Sequence, residues 1–141
     1  MLPGVQKYNV TVERDGPNKA VARTRGHTLV LNAEKGRGEI GFNAAETLMA
    51  ALGACLMTNL NSLAAKMHLA IDDATLEIDA VRLDDPPGIS ELTYRLTLTS
   101  REPKDKLEQL HDLCVKWGTV TNTLAHGVQV VGTLNIKRSR E

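Results

Sequence analysis

Apolar and polar residues alternate in three stretches of the chain, 5–14, 74–83 and 89–101, and a period of two is typical of β-strands with one buried face. These stretches predict strands, and two more strands are expected over residues 19–24 and 27–32. The turn-forming run 15–18 and Gly26 separate the first three strands along the chain, which predicts an antiparallel β-meander over residues 1–32. The run 84–88 (Asp-Asp-Pro-Pro-Gly) separates the last two, which predicts a long hairpin over residues 74–101.

The pattern changes to a helical one over residues 43–69, the longest apolar-rich run of the chain. Asn43 with Glu46 three residues later matches a capping box at a helix N-terminus. Strong helix formers follow, and apolar residues fall on more than one face, so we predict a central helix that is buried on more than one side. Two apolar stripes are expected, one with Leu48, Leu52, Cys55, Asn59 and Leu63 and the other with Met49, Leu56, Leu60 and Met67.

The rest of the chain, residues 104–137, predicts a second helix, a short helical turn and a last strand. The helix is expected over 104–117 and ends at Gly118, and its apolar face is expected to carry Leu107, Leu110, Leu113 or Cys114, and Trp117. The turn is expected over 119–126 and the strand over 128–137. A glycine-containing connector, 33–42, joins the meander to the central helix. The element order β-β-β-α-β-β-α-β predicts one α+β domain over residues 1–141, with antiparallel sheets packed on the central helix.

Composition narrows the classes of function. The chain has 17 basic and 17 acidic residues and no formal net charge. Binding to nucleic acid or to an anionic membrane favours a basic excess, so neither is expected as a partner, whereas self-association meets no charge repulsion. The N-terminus lacks the pattern of a signal peptide, and the apolar run carries Thr58, Asn59, Asn61 and Ser62, so we expect a cytoplasmic protein.

Two cysteines carry the candidate chemistry. Cys55 lies among Ala, Leu and Met, where a cysteine is by default a small buried apolar residue, and a reactive thiol would need a cation or an acid–base partner from elsewhere in the fold. Cys114 could pair with it only if the two Cα atoms come within about 7 Å. The four histidines lack metal-ligand spacing, and the G-x-G-x-x-G match at Gly36, Gly38 and Gly41 lacks a preceding βαβ unit, so no metal or cofactor is expected.

The segment Asn43–Cys55, read NAAETLMAALGAC, resembles the helix-opening motif of the OsmC/Ohr superfamily (osmotically inducible protein C and organic hydroperoxide resistance protein). The resemblance extends over nearly the whole chain, and it favours the general OsmC-like branch over true Ohr proteins. It implies an intertwined homodimer with sites at the interface. It also implies a thiol peroxidase in which Cys55 attacks the peroxide, a second cysteine forms a disulfide with it, and a dithiol such as a lipoyl group reduces that disulfide.

The chain departs from the family pattern where the second cysteine usually stands. Gly118 occupies that position, and Cys114 lies four residues earlier, so Cys114 is either a displaced resolving cysteine or an inert core residue. Arg14, in an Arg-Asp-Gly turn, resembles the activating arginine, with Arg23 and Arg25 as alternatives. Glu46 matches the family carboxylate, which orients an arginine, caps the helix, or does both.

The site expected from the resemblance therefore consists of Cys55, Cys114, Glu46 and Arg14. The expected function is reduction of organic hydroperoxides or hydrogen peroxide. Two alternatives stay open: an OsmC-fold dimer that is a redox sensor or binds a small apolar ligand without turnover, and a purely structural dimerisation domain.

Overall fold

The computed structural model describes residues 4–36, 38–132, 134 and 137, and within them the chain forms five strands and three helices. The elements are β1 Thr11–Arg14, β2 Lys19–Thr24, β3 His27–Asn32, α1 Ala44–Lys66, β4 Asp73–Asp84, β5 Pro87–Thr99, α2 Lys104–Lys116 and α3 Thr119–His126. The predicted α+β class with antiparallel sheets is confirmed.

Strands β1, β2 and β3 form an antiparallel sheet in chain order, which is the predicted meander. At the first turn, the Asp15 N–H donates to the Lys19 carbonyl at 2.9 Å, and the two side chains form an ion pair at 3.0 Å. Strand β1 begins at Thr11 rather than at residue 5, because Thr11 pairs with Arg23 and β2 ends one residue later. Only Thr24 of β2 therefore remains as a pairing partner for the residues before Thr11.

Helix α1 begins where the capping box predicts. The Glu46 N–H donates to Asn43 Oδ1 at 2.8 Å, and the Asn43 N–H donates to Glu46 Oε1 at 3.0 Å. Its C-terminus is a Schellman motif, in which the Leu69 N–H bonds the Ala64 carbonyl and His68 takes a φ of 56°. This left-handed residue ends the helix at Lys66, three residues before the predicted end.

The buried face of α1 differs from both predicted stripes. Leu52, Leu56, Leu60 and Ala64 are the buried residues, whereas Leu48 is 38% exposed and Cys55 is partly exposed. The sequence could not show which face of the helix is buried, because a helix that is apolar nearly all round has no contrasting polar face. Within this single chain the helix is buried on one side, not on several.

By length and composition, α1 is also long and apolar enough to cross a membrane. The core helices of soluble proteins meet the same criterion, so this finding does not separate the two cases.

Strands β4 and β5 form the predicted hairpin, joined by a turn at Asp85 and Pro86. The Arg95 guanidinium pairs with Glu77 across the strands at 2.7 Å. Leu76 and Ile78 are partly buried while their neighbours Glu77 and Asp79 are exposed, which confirms the predicted alternation.

The chain divides into two compact units, and both α1 and the hairpin contribute to each. The first contains the meander, α1 up to Gly53, and Leu76–Leu96. In it, a Cβ placed on Gly53 would lie 3.3 Å from Ile78 Cδ1, so the glycine allows a close approach of helix to strand.

The second unit contains Ala54–Thr75 and the chain from Thr97 onward. Its core includes Leu56 and Leu60 of α1 together with Leu110 and Cys114 of α2. The predicted apolar face of α2 is correct for these two α2 residues and wrong for Trp117, which is 64% exposed and stacks beneath the Lys116 ammonium.

The predicted last strand over residues 128–137 is not present at the described residues 128–132, 134 and 137, and residues 133, 135 and 136 of that prediction lie outside the described part. Val128, Val130 and Val131 are 73%, 90% and 80% exposed. A strand requires a hydrogen-bonded neighbour, and the described residues of this chain provide none for this segment.

Candidate functional site

The two cysteines lie in the same compact unit, on α1 and α2, and both are free thiols. Cys55 is partly exposed, whereas Cys114 is 1% exposed. One thiol is therefore open to a dissolved reagent and the other is shielded from it.

The two thiols also interact electrostatically. Burial raises the pKa of the Cys114 thiol above its ordinary value, and the negative charge of an ionised Cys55 raises it further. Ionisation of Cys55 therefore makes ionisation of Cys114 less favourable. The difference in exposure between the two residues suits a pair in which one sulfur attacks first and the other follows.

The C-terminus of α2 holds Cys114 in place. The last four carbonyls of a helix lack helical partners, and here all four are satisfied. Leu113 accepts from the Trp117 N–H at 3.1 Å and Val115 from the Gly118 N–H at 3.3 Å. The Cys114 carbonyl accepts from Asn59 Nδ2, and the Lys116 carbonyl accepts from Asn122 Nδ2, each at 3.1 Å.

Asn59 falls on one of the two predicted apolar stripes of α1, and the pattern alone predicts no role for it. The signal that could have identified it is a carboxamide one helical turn after a candidate cysteine, among residues that are otherwise apolar.

Gly118, at the position where the resemblance places the second cysteine, is buried at the junction of α2 and α3. A Cβ at this position would lie 2.5 Å from Thr121 Oγ1 and 3.2 Å from the Cys114 carbonyl oxygen. A cysteine here would therefore displace the Thr121 side chain, so this junction is built for glycine. Thr121 Oγ1 is itself buried and without a hydrogen-bond partner among the described residues.

Glu46 and Arg14 belong to the first unit, whereas both cysteines belong to the second. Glu46 caps α1 through the Asn43 N–H, nine residues before Cys55 in the chain. Arg14, at the end of β1, is exposed and forms no ion pair with any described residue. Of the alternatives, Arg23 lies 4.0 Å from Glu13, and Arg25 occupies the turn between β2 and β3 with a φ of 50°.

A shallow, mainly apolar pocket of about 290 Å³ lies in the first unit. It is lined by Phe42, Glu46, Met49, Ala50, Leu76 and Ile78. Among the described residues, no group of three or more His, Cys, Asp or Glu side chains is arranged to hold a metal ion.

Comparison with known proteins agrees with the fold. The profile of the OsmC-like protein family matches residues 36–131. A hydroperoxide reductase of Mycoplasma genitalium is 25% identical over 126 residues, covering 86% of this chain and 89% of that protein.

Two solved structures illustrate the likeness. An OsmC-like protein from Mycoplasma pneumoniae superposes with a TM-score of 0.79 at 20% identity, covering 86% of this chain and 89% of that one. The organic hydroperoxide resistance protein OhrB of Bacillus subtilis superposes with a TM-score of 0.61 at 14% identity, covering 86% and 92%. Because the family profile matches more than half of this chain, the chain belongs to the OsmC-like protein family.

Proposed function

We propose that this protein is a thiol peroxidase that reduces organic hydroperoxides or hydrogen peroxide. The observation that carries the proposal is the cysteine pair, in which a partly exposed Cys55 lies in one unit with a buried Cys114 whose pKa is raised. The similarity to a protein named hydroperoxide reductase supports a peroxide-related role.

The proposed reaction has two oxidative steps. The Cys55 thiolate attacks one peroxide oxygen, the O–O bond breaks, and the alcohol or water leaves, so that Cys55 becomes a sulfenic acid. The Cys114 sulfur then attacks the Cys55 sulfur and displaces water, forming a disulfide. A dithiol reductant such as a lipoyl group restores both thiols and becomes a disulfide itself.

Activation of Cys55 requires a cation, because a thiolate is favoured next to positive charge. We propose Arg14 for this role and Glu46 as the carboxylate that orients it, in addition to its role in the cap. Their exposure in the single chain leaves both side chains available to a site completed by a second copy.

We further propose that the chain acts as one domain within a cytoplasmic homodimer. Its apolar surface supports this, since Tyr8, Val10 and Val12 in and beside β1 are 81%, 58% and 59% exposed. Exposed apolar residues that cluster on one element are typical of an interaction surface.

Peroxide consumption with a dithiol reductant tests the proposed function. Cys55→Ser is expected to lower turnover by at least about a thousandfold, because it removes the nucleophile. Cys114→Ser is expected to keep the first step within about threefold and to accumulate a dimedone-reactive sulfenic acid. Full turnover by Cys55→Ser would refute the proposal.

The same assay assigns the arginine. Arg14→Ala is expected to slow the first step by about 10- to 100-fold, whereas Arg25→Ala, the matched change at the opposite end of β2, is expected to leave it within about twofold. The reverse result would move the role to Arg25.

A second candidate function, non-catalytic binding of a small apolar ligand, is favoured by the pocket beside Phe42 and Met49. The same pocket suits the apolar part of an organic hydroperoxide, so turnover decides between the two functions. A stable Cys55 sulfenic acid in the wild-type protein, without a disulfide, would favour a redox sensor or a catalytic cycle that uses one cysteine.

A further inference from the structure

Asn59 stands out on the buried side of α1. It is partly buried, one turn after Cys55, and its neighbours Leu56 and Leu60 are each 3% exposed. A carboxamide in such surroundings carries a desolvation cost that only a hydrogen bond offsets. Its Nδ2 donates that bond to the Cys114 carbonyl oxygen at 3.1 Å, 55 residues away in the chain.

The Cys114 carbonyl needs this donor for a local reason. In a continuing helix it would accept from the N–H of Gly118, but that N–H bonds the Val115 carbonyl at 3.3 Å as the last turn of α2 tightens. The acceptor that the helix leaves unpaired thus belongs to the candidate resolving cysteine. The donor comes from the helix that bears the candidate nucleophile.

We propose that Asn59 is a positioning residue that fixes the backbone of Cys114 beside the turn of α1 carrying Cys55, so that the two sulfurs meet in the disulfide step. The hydrogen bond between Asn59 and the Cys114 carbonyl is observed in the structure. The inference rests on the proposed function only for the role of the two cysteines as a redox pair. Disulfides form within narrow limits of Cα separation and dihedral angle, so small shifts of one backbone reduce the yield.

Asn59 acts on the second oxidative step and not on the first. Attack on a peroxide involves the Cys55 sulfur, whereas the hydrogen bond of Asn59 goes to the backbone of Cys114. Loss of the bond frees the last turn of α2 and leaves the Cys114 carbonyl without a donor. Sulfenic acid formation should therefore continue while its resolution slows.

The test measures the pairing of the cysteines separately from peroxide chemistry. Wild type, Asn59→Ala and Asn59→Leu are equilibrated in mixtures of reduced and oxidised glutathione, and the Cys55–Cys114 disulfide is quantified by mass spectrometry. In this exchange two protein thiols become a disulfide while one glutathione disulfide becomes two thiols. We expect both variants to lower the equilibrium constant by about 3- to 10-fold, the equivalent of one net hydrogen bond.

A second measurement excludes a merely structural role. After a single addition of cumene hydroperoxide, both variants should form sulfenic acid within about twofold of the wild-type rate and convert it to disulfide at least about threefold more slowly. Asn61→Ala is the matched control, since Asn61 is an exposed asparagine two residues further along α1. It should change neither step. Alanine and leucine both favour helix, so the variants are expected to fold.

The outcomes are distinct. Wild-type equilibrium constants in both Asn59 variants, equal slowing of both oxidative steps, or a wild-type protein that forms no Cys55–Cys114 disulfide in glutathione would each overturn the assignment. A pair that oxidises in glutathione and depends on Asn59, in a protein that consumes no peroxide, would support the assignment and refute the peroxidase.

Discussion

Cys114 is restricted in two ways at the scale of a single residue. Its side chain is 1% exposed, and its carbonyl is held by the side chain of Asn59. A buried thiol with a raised pKa is a poor nucleophile towards dissolved reagents, because the thiolate is the reactive form. Cys114 is therefore protected from direct oxidation by dissolved reagents.

The raised pKa of Cys114 predicts a pH dependence of stability. In the unfolded chain the thiol ionises near its ordinary pKa, about 8.5. The folded state holds the proton to higher pH, so the free energy of unfolding contributed by this group is fully present below about pH 8 and falls as pH rises through the folded pKa.

Urea unfolding of the reduced protein between pH 7 and 10 measures this effect. Cys114→Ala should be less stable at every pH, because it leaves a cavity, but it should lose less stability above pH 8.5 than the wild type does. Parallel pH curves for the two proteins would contradict the prediction.

Single residues also mark the limit of sequence-based inference. The motif around Cys55 identified the candidate nucleophile, because its residues carry the family resemblance. Asn59 could not be identified, because its role depends on a carbonyl left unpaired at the end of another helix. The sequence shows that Gly118 departs from the family pattern. Only the structure gives the reason, because a side chain at this position would collide with Thr121.

Helix α1 shows, at the scale of an element, how a local signal is realised. Both hydrogen bonds of its capping box are present, and Glu46 is exposed within the first turn. The sequence predicted this terminus because a cap depends on residues close together in the chain.

Substitutions in the cap can separate its two suggested roles. Asn43→Ala should lower the free energy of unfolding by about 1 kcal/mol, because Asn43 Oδ1 no longer accepts the Glu46 N–H. Glu46→Gln keeps an oxygen acceptor for the Asn43 N–H, so its unfolding free energy should stay within about 0.5 kcal/mol of the wild type.

Peroxide kinetics then complete the comparison. If the charge of Glu46 orients an arginine, Glu46→Gln slows the first step by about tenfold while Asn43→Ala leaves it nearly unchanged. Asn61→Ala, an exposed change inside the same helix, serves as the control for both urea unfolding and kinetics. Equal kinetic effects of the two cap variants would leave Glu46 with the capping role alone.

The two elements for which the prediction failed did so for different reasons. The hairpin alternates between partly buried and exposed residues, so the sequence pattern could show which side chains of each strand face inward. Helix α1 is apolar nearly all round, so the stripe Leu52, Leu56, Leu60 and Ala64 could not be selected. The strand expected over 128–137 depends on a pairing partner, which a pattern along the chain does not reveal.

Exposed apolar side chains are the main feature at the scale of the whole molecule. They concentrate in the first unit on the meander, with Leu29 51% and Val30 43% exposed, and in the second unit on the segment 128–134. Without formal net charge, the chain has little electrostatic repulsion against its own copies. Both features support the proposed homodimer.

The segment after α3 provides a test of the homodimer. Val130→Asp places a charge at a residue that is 90% exposed in the single chain, so the fold of one copy should be retained. If this segment pairs with a second copy, the buried charge should shift the protein from dimer to monomer in sedimentation velocity. Gln129→Asp introduces the same charge at the adjacent residue and should leave the dimer intact. A wild-type monomer at micromolar concentration would refute the homodimer.

The valines at 128, 130 and 131 also affect the solubility of the single chain. The segment Val128–Val131 combines high β-propensity with no charged residue, which is the composition of a sequence that nucleates aggregation. Strand β1, by contrast, carries Glu13 and Arg14, charges that discourage such stacking. If a second copy covers this segment, a variant with a weakened interface should precipitate more readily than the wild type at the same protein concentration. Solubility should be lowest near neutral pH, where the molecule carries no net charge.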